Sequence, residues 1–175
     1  MPAETPMGIE PKPKAPKKAK RRRKPPEEIV SYIMAIEDWD WSYSLSLNTD
    51  RHAIDPYHEF RHLQIRGRLL HPKGLKTDQV EITLLPGYDM LPEARKDRKP
   101  RCAGSLDVYD DRVAGLVSIP VDVLPPILQM LIGGRFRFIE MRGPRFRYRQ
   151  VLCNSFRLEM KLDPDDLPEE IELPR

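Results

Sequence analysis

Hydrophobic and polar residues alternate strictly over several short stretches, which is the period of a β-strand with one buried face. The clearest stretch is Trp39–Leu47, where every odd position is Trp, Tyr or Leu and every even position is Asp or Ser. Both tryptophans therefore point to one side, and core packing explains them better than a platform for a ligand. The preceding residues, Ile29–Ile36, allow a helix as well as a strand.

The same alternation predicts further strands, which turn residues separate. They are Leu63–Leu69, Val80–Leu84, Leu106–Val108, Val113–Ile119 and Phe156–Leu162. Short turns are predicted at Pro72–Gly74 and at Asp110-Asp111. Two connections are longer: a polar loop over Asn48–Tyr57, and a charged loop over Pro86–Arg101 that we expect to be mobile.

One stretch has a helical period instead. Apolar residues spaced by three and four predict a helix over Val121–Ile132. Asp122 is a suitable N-cap, the Pro125-Pro126 pair fits the first turn, and Gly133-Gly134 supplies a left-handed stop. The sequence therefore predicts a helix late in the chain with marked ends.

This helix lacks the polar face of an ordinary surface helix, since Gln129 is the only polar side chain between Val123 and Ile132. We therefore expect it to be covered on both sides. It either plugs the open end or face of a sheet, or forms an interface in a homo-oligomer. The interface version assigns the contact to Leu124, Ile127, Met130 and Leu131.

A basic aromatic hairpin is predicted next. Arg135–Met141 and Arg145–Gln150 flank a Gly143-Pro144 turn signal, and arginines alternate with aromatic residues on both sides. The aromatic side chains should anchor one face in the core, and the arginines should lie on the other. The aromatic residues are Phe136, Phe138, Phe146 and Tyr148, and the arginines are Arg135, Arg137, Arg145, Arg147 and Arg149.

These elements predict a mainly β (α+β) fold, an antiparallel β-sandwich or partly open barrel with one late apolar helix. Strands do not alternate with helices, which argues against a parallel sheet. The expected organisation is a single domain over residues 27–162, between a disordered basic N-terminal tail (1–26) and an acidic C-terminal tail (163–175).

The two tails carry opposite charges. The first 26 residues hold nine basic and two acidic residues, a net charge of +7, whereas residues 163–175 have a net charge of −5. The basic run would attract phosphates whatever their sequence, although it is equally explained as a solubilising tail, and the two tails could screen each other. The phosphate-binding candidates in it are Lys17, Lys18, Lys20, Arg21, Arg22, Arg23 and Lys24.

Composition narrows the possible classes of protein. No apolar run reaches the length of a membrane helix, and no secretory signal is present, so we expect no membrane association and a cytoplasmic location. Two cysteines, Cys102 and Cys153, are too few for a disulfide framework and are expected to be free, buried thiols. A glycine-rich phosphate loop, a serine elbow and a Cys-x-x-Cys pair are all missing, so no cofactor is expected.

One catalytic pattern is present. His58-Glu59-Phe60-Arg61-His62 matches H-E-x-x-H, in which a helix brings two histidines to one zinc ion and the glutamate activates water. On a helix the histidine Cβ atoms lie about 6 Å apart, but on a strand they lie about 13 Å apart. Because the residues that follow favour a strand, a zinc-dependent hydrolase with His58 and His62 as ligands and Glu59 as base is only the alternative.

The leading hypothesis is a non-enzymatic binding or accessory domain. Its macromolecular ligand would be a protein partner or non-specific nucleic acid. The basic run of the tail and the hairpin positions Arg145, Arg147 and Arg149 would make the nucleic-acid contacts. The opposing interpretation is that these arginines pair with acidic residues of neighbouring strands or simply solvate an outer face.

Overall fold

The computed structural model describes residues 27–50, 52, 54–96 and 99–162. The predictions for the two tails, including all basic candidates between Lys17 and Lys24, lie outside the described residues. The strands are β1 (Ile29–Leu47), β2 (Tyr57–His71), β3 (Gln79–Gly87), β4 (Gly104–Val108), β5 (Val113–Pro120), β6 (Phe138–Pro144), β7 (Gln150–Cys153) and β8 (Ser155–Glu159). The helices are α1 (Pro92–Arg95) and α2 (Leu124–Ile132), with 3-10 turns at Tyr88–Met90 and Val121–Val123.

All eight strands form one sheet in the order β7-β4-β5-β3-β2-β1-β6-β8. The two edge strands are consecutive in the chain, separated by Asn154 alone. β7 pairs with β4 and β8 pairs with β6, while the Asn154 N–H donates to the carbonyl of Arg142 over 2.6 Å. The continuous segment of β7, Asn154 and β8 thus supplies both edge strands, and the sheet curls into a nearly closed barrel. The predicted mainly β fold with a late helix is confirmed.

One strand pair departs from the antiparallel prediction. β3 and β5 are parallel, whereas the other paired strands are antiparallel. β4 does not pair with β3, because the connection between them leaves room for one strand. β5 occupies that position between β4 and β3, antiparallel to β4 and parallel to β3. The connection, predicted as a mobile loop over Pro86–Arg101, contains the 3-10 turn and α1.

Inward-pointing residues of the strands fill the barrel with one apolar core. Its fully buried members include Tyr32, Met34, Leu63, Ile82, Leu84, Leu106, Val113 and Met141. The residues that allowed either a helix or a strand, Ile29–Ile36, belong to β1 because both of its neighbours, β2 and β6, pair with it there. The tryptophans of β1 pack at the border of this core, as expected.

Helix α2 covers part of the barrel interior through Leu124 and Leu131, which belong to the core cluster. The predicted glycine stop is present, since Gly134 has φ +61°. The predicted cap is wrong: Asp122 lies in the 3-10 turn, and Val123 precedes the helix without a side-chain hydrogen bond. Coverage on both sides is also wrong, because Ile132 is 73% exposed. None of the helices that the structure describes is long and apolar enough to traverse a bilayer.

Candidate functional site

The predicted hairpin turn at Gly143-Pro144 is wrong, because both residues belong to β6 and pair with β1. The second half of the predicted hairpin is instead a tight turn. Arg147 and Gln150 exchange backbone hydrogen bonds of 2.9 and 3.0 Å, and the residues between them, Tyr148 and Arg149, have φ values of 51° and 68°. Two successive positive φ angles define the type I′ turn that usually carries Asn-Gly. Bulky side chains in that conformation cost on the order of 1 kcal/mol each. The turn therefore holds Tyr148 and Arg149 in a conformation that such residues rarely adopt.

The prediction that Tyr148 anchors the hairpin in the core is wrong. Its side chain is fully exposed, at 102% of the reference area, between two exposed arginines. Phe146 does pack inward, with its ring 5.0 Å from that of Tyr32 in an edge-to-face contact. The left-handed turn after Phe146 breaks the strand alternation, which is why the next aromatic residue points to solvent.

Each of the three arginines around this turn has an acidic partner. The nitrogen-to-oxygen distances are 2.9 Å for Arg145–Glu28, 3.0 Å for Arg147–Glu27 and 3.4 Å for Arg149–Asp110. All of these side chains are more than half exposed, so each pair contributes little to stability. Asp110 also pairs with Lys76 over 2.9 Å, so the carboxylates neutralise most but not all of the positive charge around the turn. The arginines are held by weak contacts that a phosphate could replace. We define residues 145–149 as the arginine turn.

The glutamates that pair with the arginine turn are close in sequence to the predicted basic run. Glu27 and Glu28 are the first described residues, and Lys24 precedes Glu27 by three positions, which is at most about 11 Å of chain. The other end of the described chain lies elsewhere, because Glu159 pairs with Phe138 whereas Ile29 pairs with Pro144. These two points are separated by the length of β6, about 20 Å. The described residue nearest in sequence to the basic run, Glu27, therefore lies beside the arginine turn and away from the opposite end of β6.

The remaining two arginines of the predicted hairpin lie at the other end of β6. Arg137 precedes that strand, where its carbonyl accepts the Ile36 N–H and its own N–H donates to Glu159. Arg135 and Arg137 line an open depression of about 560 Å³, together with Glu159 and Lys161. The predicted five-arginine face is therefore divided into two separate groups.

The H-E-x-x-H residues lie within β2. His58 and His62 pair with Ser46 and Ser42 of β1, so they are four strand positions apart, about 13 Å. Glu59 points to the opposite face, where its carboxylate contacts Arg61 at 2.5 Å and that hydrogen bond lowers the pKa of Glu59. In the described ranges, no three metal-ligating side chains come together. The helical geometry that the zinc alternative requires is not the one that the structure has.

A feature that the sequence did not single out is a two-stranded arm. β1 and β2 remain paired as far as Leu47 and Tyr57, but β6 covers β1 only to Ala35 and β3 covers β2 only from Leu63. We define the arm as residues 43–50 and 54–61. Its exposed apolar side chains are Tyr43, Leu45, Leu47, Ile54, Tyr57 and Phe60, each at least 46% exposed.

The four helix positions proposed as an interface are buried to different degrees. Leu124 and Leu131 are only 5% and 4% exposed, so they have little surface for a partner. Ile127 and Met130 are half-buried. The helix face that remains open is centred on Gln129 and Ile132 instead.

Comparison with known proteins gives no indication of the function. No family model matches the chain, and neither the curated proteins nor the solved structures provide a match. The functional interpretation therefore depends on the geometry of the arginine turn and of the arm.

Proposed function

We propose that this chain is a non-enzymatic binding module that contacts nucleic-acid backbones through the arginine turn together with the basic run between Lys17 and Lys24. The observation that carries the proposal is the pair of contacts Arg145–Glu28 and Arg147–Glu27, since Glu27 follows Lys24 by only three positions in the sequence. A reducing, cytoplasmic compartment suits the two free cysteines, Cys102 and Cys153.

The chemistry of this surface favours the backbone over the bases. Arginine forms bidentate hydrogen bonds to phosphate, and the exposed carboxylate partners of the turn give way at small cost. The seven basic residues between Lys17 and Lys24 supply most of the excess positive charge, because carboxylates largely neutralise the arginines of the turn. Binding should therefore be insensitive to sequence and steeply dependent on salt.

Tyr148 adds a preference for single strands. Its ring is fully exposed, and it stands between two guanidinium groups that can follow a backbone. Stacking of one base on an aromatic ring contributes about 1–3 kcal/mol, and unpaired bases are the ones free to stack. A single-stranded oligonucleotide should therefore bind more tightly than a duplex of the same charge.

The test is a salt titration of single-stranded and duplex DNA and RNA binding by the full chain. Three variants are compared with it. The first changes all seven basic residues between Lys17 and Lys24 to Ser, and the second changes Arg145, Arg147 and Arg149 to Ser. The third is Tyr148→Ser. We expect the triple arginine variant to reduce the salt slope by about two to three. Tyr148→Ser should weaken single-strand binding by about tenfold and leave duplex binding nearly unchanged.

The matched control changes Arg66 and Arg68 to Ser. These two arginines also form exposed ion pairs, with Asp38 and Glu37, but they lie on the outer face of β2 away from the turn. The control should bind like the unmodified chain. If neutralising the basic run removes all binding and the turn variant changes nothing, the turn has no role. If the unmodified chain binds no nucleic acid at low salt, the proposal fails and a protein partner becomes the better explanation.

A further inference from the structure

The arm has one open edge that could accept another strand. From Tyr43 to Leu47, β1 is paired on one side with β2, while β6 on its other side stops at Ala35. Over that stretch β1 shows pairing with no other strand that the structure describes. Such an edge carries unpaired N–H and C=O groups that are a template for strand addition.

The direction of these groups follows from one hydrogen bond. The N–H of Asn48 donates to the carbonyl of Pro56 over 2.8 Å, so the even-numbered residues of this part of β1 direct their amides toward β2. Tyr43, Leu45 and Leu47 therefore present their N–H and C=O groups to the open edge. The amides that a new strand would need are already aligned.

The two edges of the arm differ in their protection against pairing. The β2 edge carries His58, Glu59 and Arg61, and charged residues discourage the addition of another strand. From Trp41 to Leu47 the β1 edge has no charged residue and no proline. A neutral, alternating run of this length on an open edge is the pattern that promotes intermolecular pairing.

We propose that the β1 edge of the arm pairs antiparallel with the same edge of a second copy of this chain, with a two-fold axis at Ser44. This register pairs the entire uncharged run with itself: Trp41 faces Leu47, Tyr43 faces Leu45, and serine faces serine. The odd residues all fall on one face and the serines on the other. Because the outward amides belong to the odd residues, about eight backbone hydrogen bonds form across the axis.

Self-pairing of this kind closes at the dimer. The product is a four-stranded sheet of two arms, whose outer edges are the protected β2 strands with Glu59 and Arg61. Two short strands and their apolar side chains make a small interface, which corresponds to weak, concentration-dependent association. A second copy matches this edge because an uncharged, alternating strand is complementary to itself.

The decisive experiment uses charge at the axis. Ser44 is exposed and should face its own copy, so Ser44→Lys and Ser44→Glu each place like charges together. We expect sedimentation velocity of the full chain, over about 1 µM to 1 mM, to show a monomer–dimer equilibrium that each variant weakens by about tenfold or more. An equimolar mixture of the two variants should restore the dimer.

The matched control is Ser118→Lys, which places the same charge on another exposed serine, in β5 of the barrel. It should associate like the unmodified chain. A chain that is monomeric over the whole range overturns the proposal. A dimer that both Ser44 variants leave intact, or one that their mixture does not restore, also overturns it.

A cross-link tests the register directly. In a Cys102→Ser background, with Cys153 buried, Ser44→Cys should form an intermolecular disulfide on mild oxidation. Directly opposed residues have Cα atoms about 4.5 Å apart at such a position, within the range that a disulfide spans. Ser46→Cys should not form one, because its own copy lies about 13 Å away. Equal cross-linking by both variants would rule out the axis at Ser44.

Discussion

The two ends of the β1–β2 hairpin have the same alternation of apolar and polar residues but different surroundings. At the barrel end, Leu63 and Ile65 are 0% and 2% exposed. On the arm, Tyr43 and Leu45 point to the same face of the hairpin and are 53% and 54% exposed. The difference lies in the neighbours, since the pairing of β3 and β6 stops before the arm begins. Alternation predicts an apolar face, and strand order decides whether that face is covered.

The sharpest test of this comparison is a pair of leucine truncations. Leu63→Ala leaves a cavity in a filled barrel and should lower the free energy of unfolding by about 2–5 kcal/mol. Leu45→Ala removes the same atoms from an exposed position and should cost less than about 1 kcal/mol. Urea denaturation at low protein concentration, where no dimer contributes, gives both values.

The slope of the urea transition serves as the internal control for both truncations. It should stay the same in the two variants, because neither should change the surface exposed on unfolding. Equal losses of stability would mean that the arm is packed in solution, and the contrast between the two ends of the hairpin would then be incorrect.

Two glutamates show the same difference between barrel and arm. Each forms an ion pair with an arginine two residues further along its strand, but one glutamate is buried and the other is on the arm. The Glu140 side chain is 8% exposed and contacts Arg142 at 2.6 Å and Ser31 at 3.1 Å. Glu59 on the arm is 34% exposed and contacts Arg61. Glu140→Gln removes the buried carboxylate that contacts Arg142 and also Arg157, at 3.8 Å, and should cost about 2 kcal/mol. Glu59→Gln should not move the thermal transition, and a larger shift than for Glu140→Gln would contradict this.

Much of the fold was predictable because it depends on local period and turn chemistry. Trp39–Leu47 and the helix with its Pro125-Pro126 start are both found in the structure. The parallel pair of β3 and β5 was not predictable, since it arises from the order in which the strands join the sheet. Ile29–Ile36 was ambiguous because its residues are apolar on both faces, and pairing on both sides decided it.

The candidate site was less predictable than the fold. The alternation indicates the arginines of the turn, but it also predicts Tyr148 in the core, because the turn has positive φ angles without the glycine or asparagine that would reveal it. The pairing of Glu27 and Glu28 with that turn depends on a contact across more than 100 residues, which no local pattern encodes. The lack of charge between Trp41 and Leu47 was visible in the sequence, but an open edge is defined only by the sheet order.

Alkaline pH should weaken the barrel through groups buried at its interior. Burial raises the pKa of Tyr32 from its usual 10.0 and the pKa of Cys153 from its usual 9.0, each to about 12. The unfolded chain loses these protons first, so their contribution to stability is complete below pH 9 and is lost as the pH rises toward 12. Urea denaturation between these limits should show a shallower decline for Cys153→Ala than for the unmodified chain. An identical decline would show that the thiol is not protected in the folded state.

The smallest expected effect is at helix α2, where neighbouring residues repeat the contrast between covered and exposed positions. Leu131 is 4% exposed, whereas Ile132 is 73% exposed. Ile132→Glu should therefore change stability by less than about 0.5 kcal/mol. It should also leave the sedimentation coefficient unchanged at every concentration, since association through the arm does not involve the helix.

The same result is expected for Met130→Glu at the half-buried edge of the helix, with a somewhat larger loss of stability. Dissociation of the dimer by either variant, with Ser44→Lys remaining dimeric, would place the interface on the helix and leave the arm without a role in self-association.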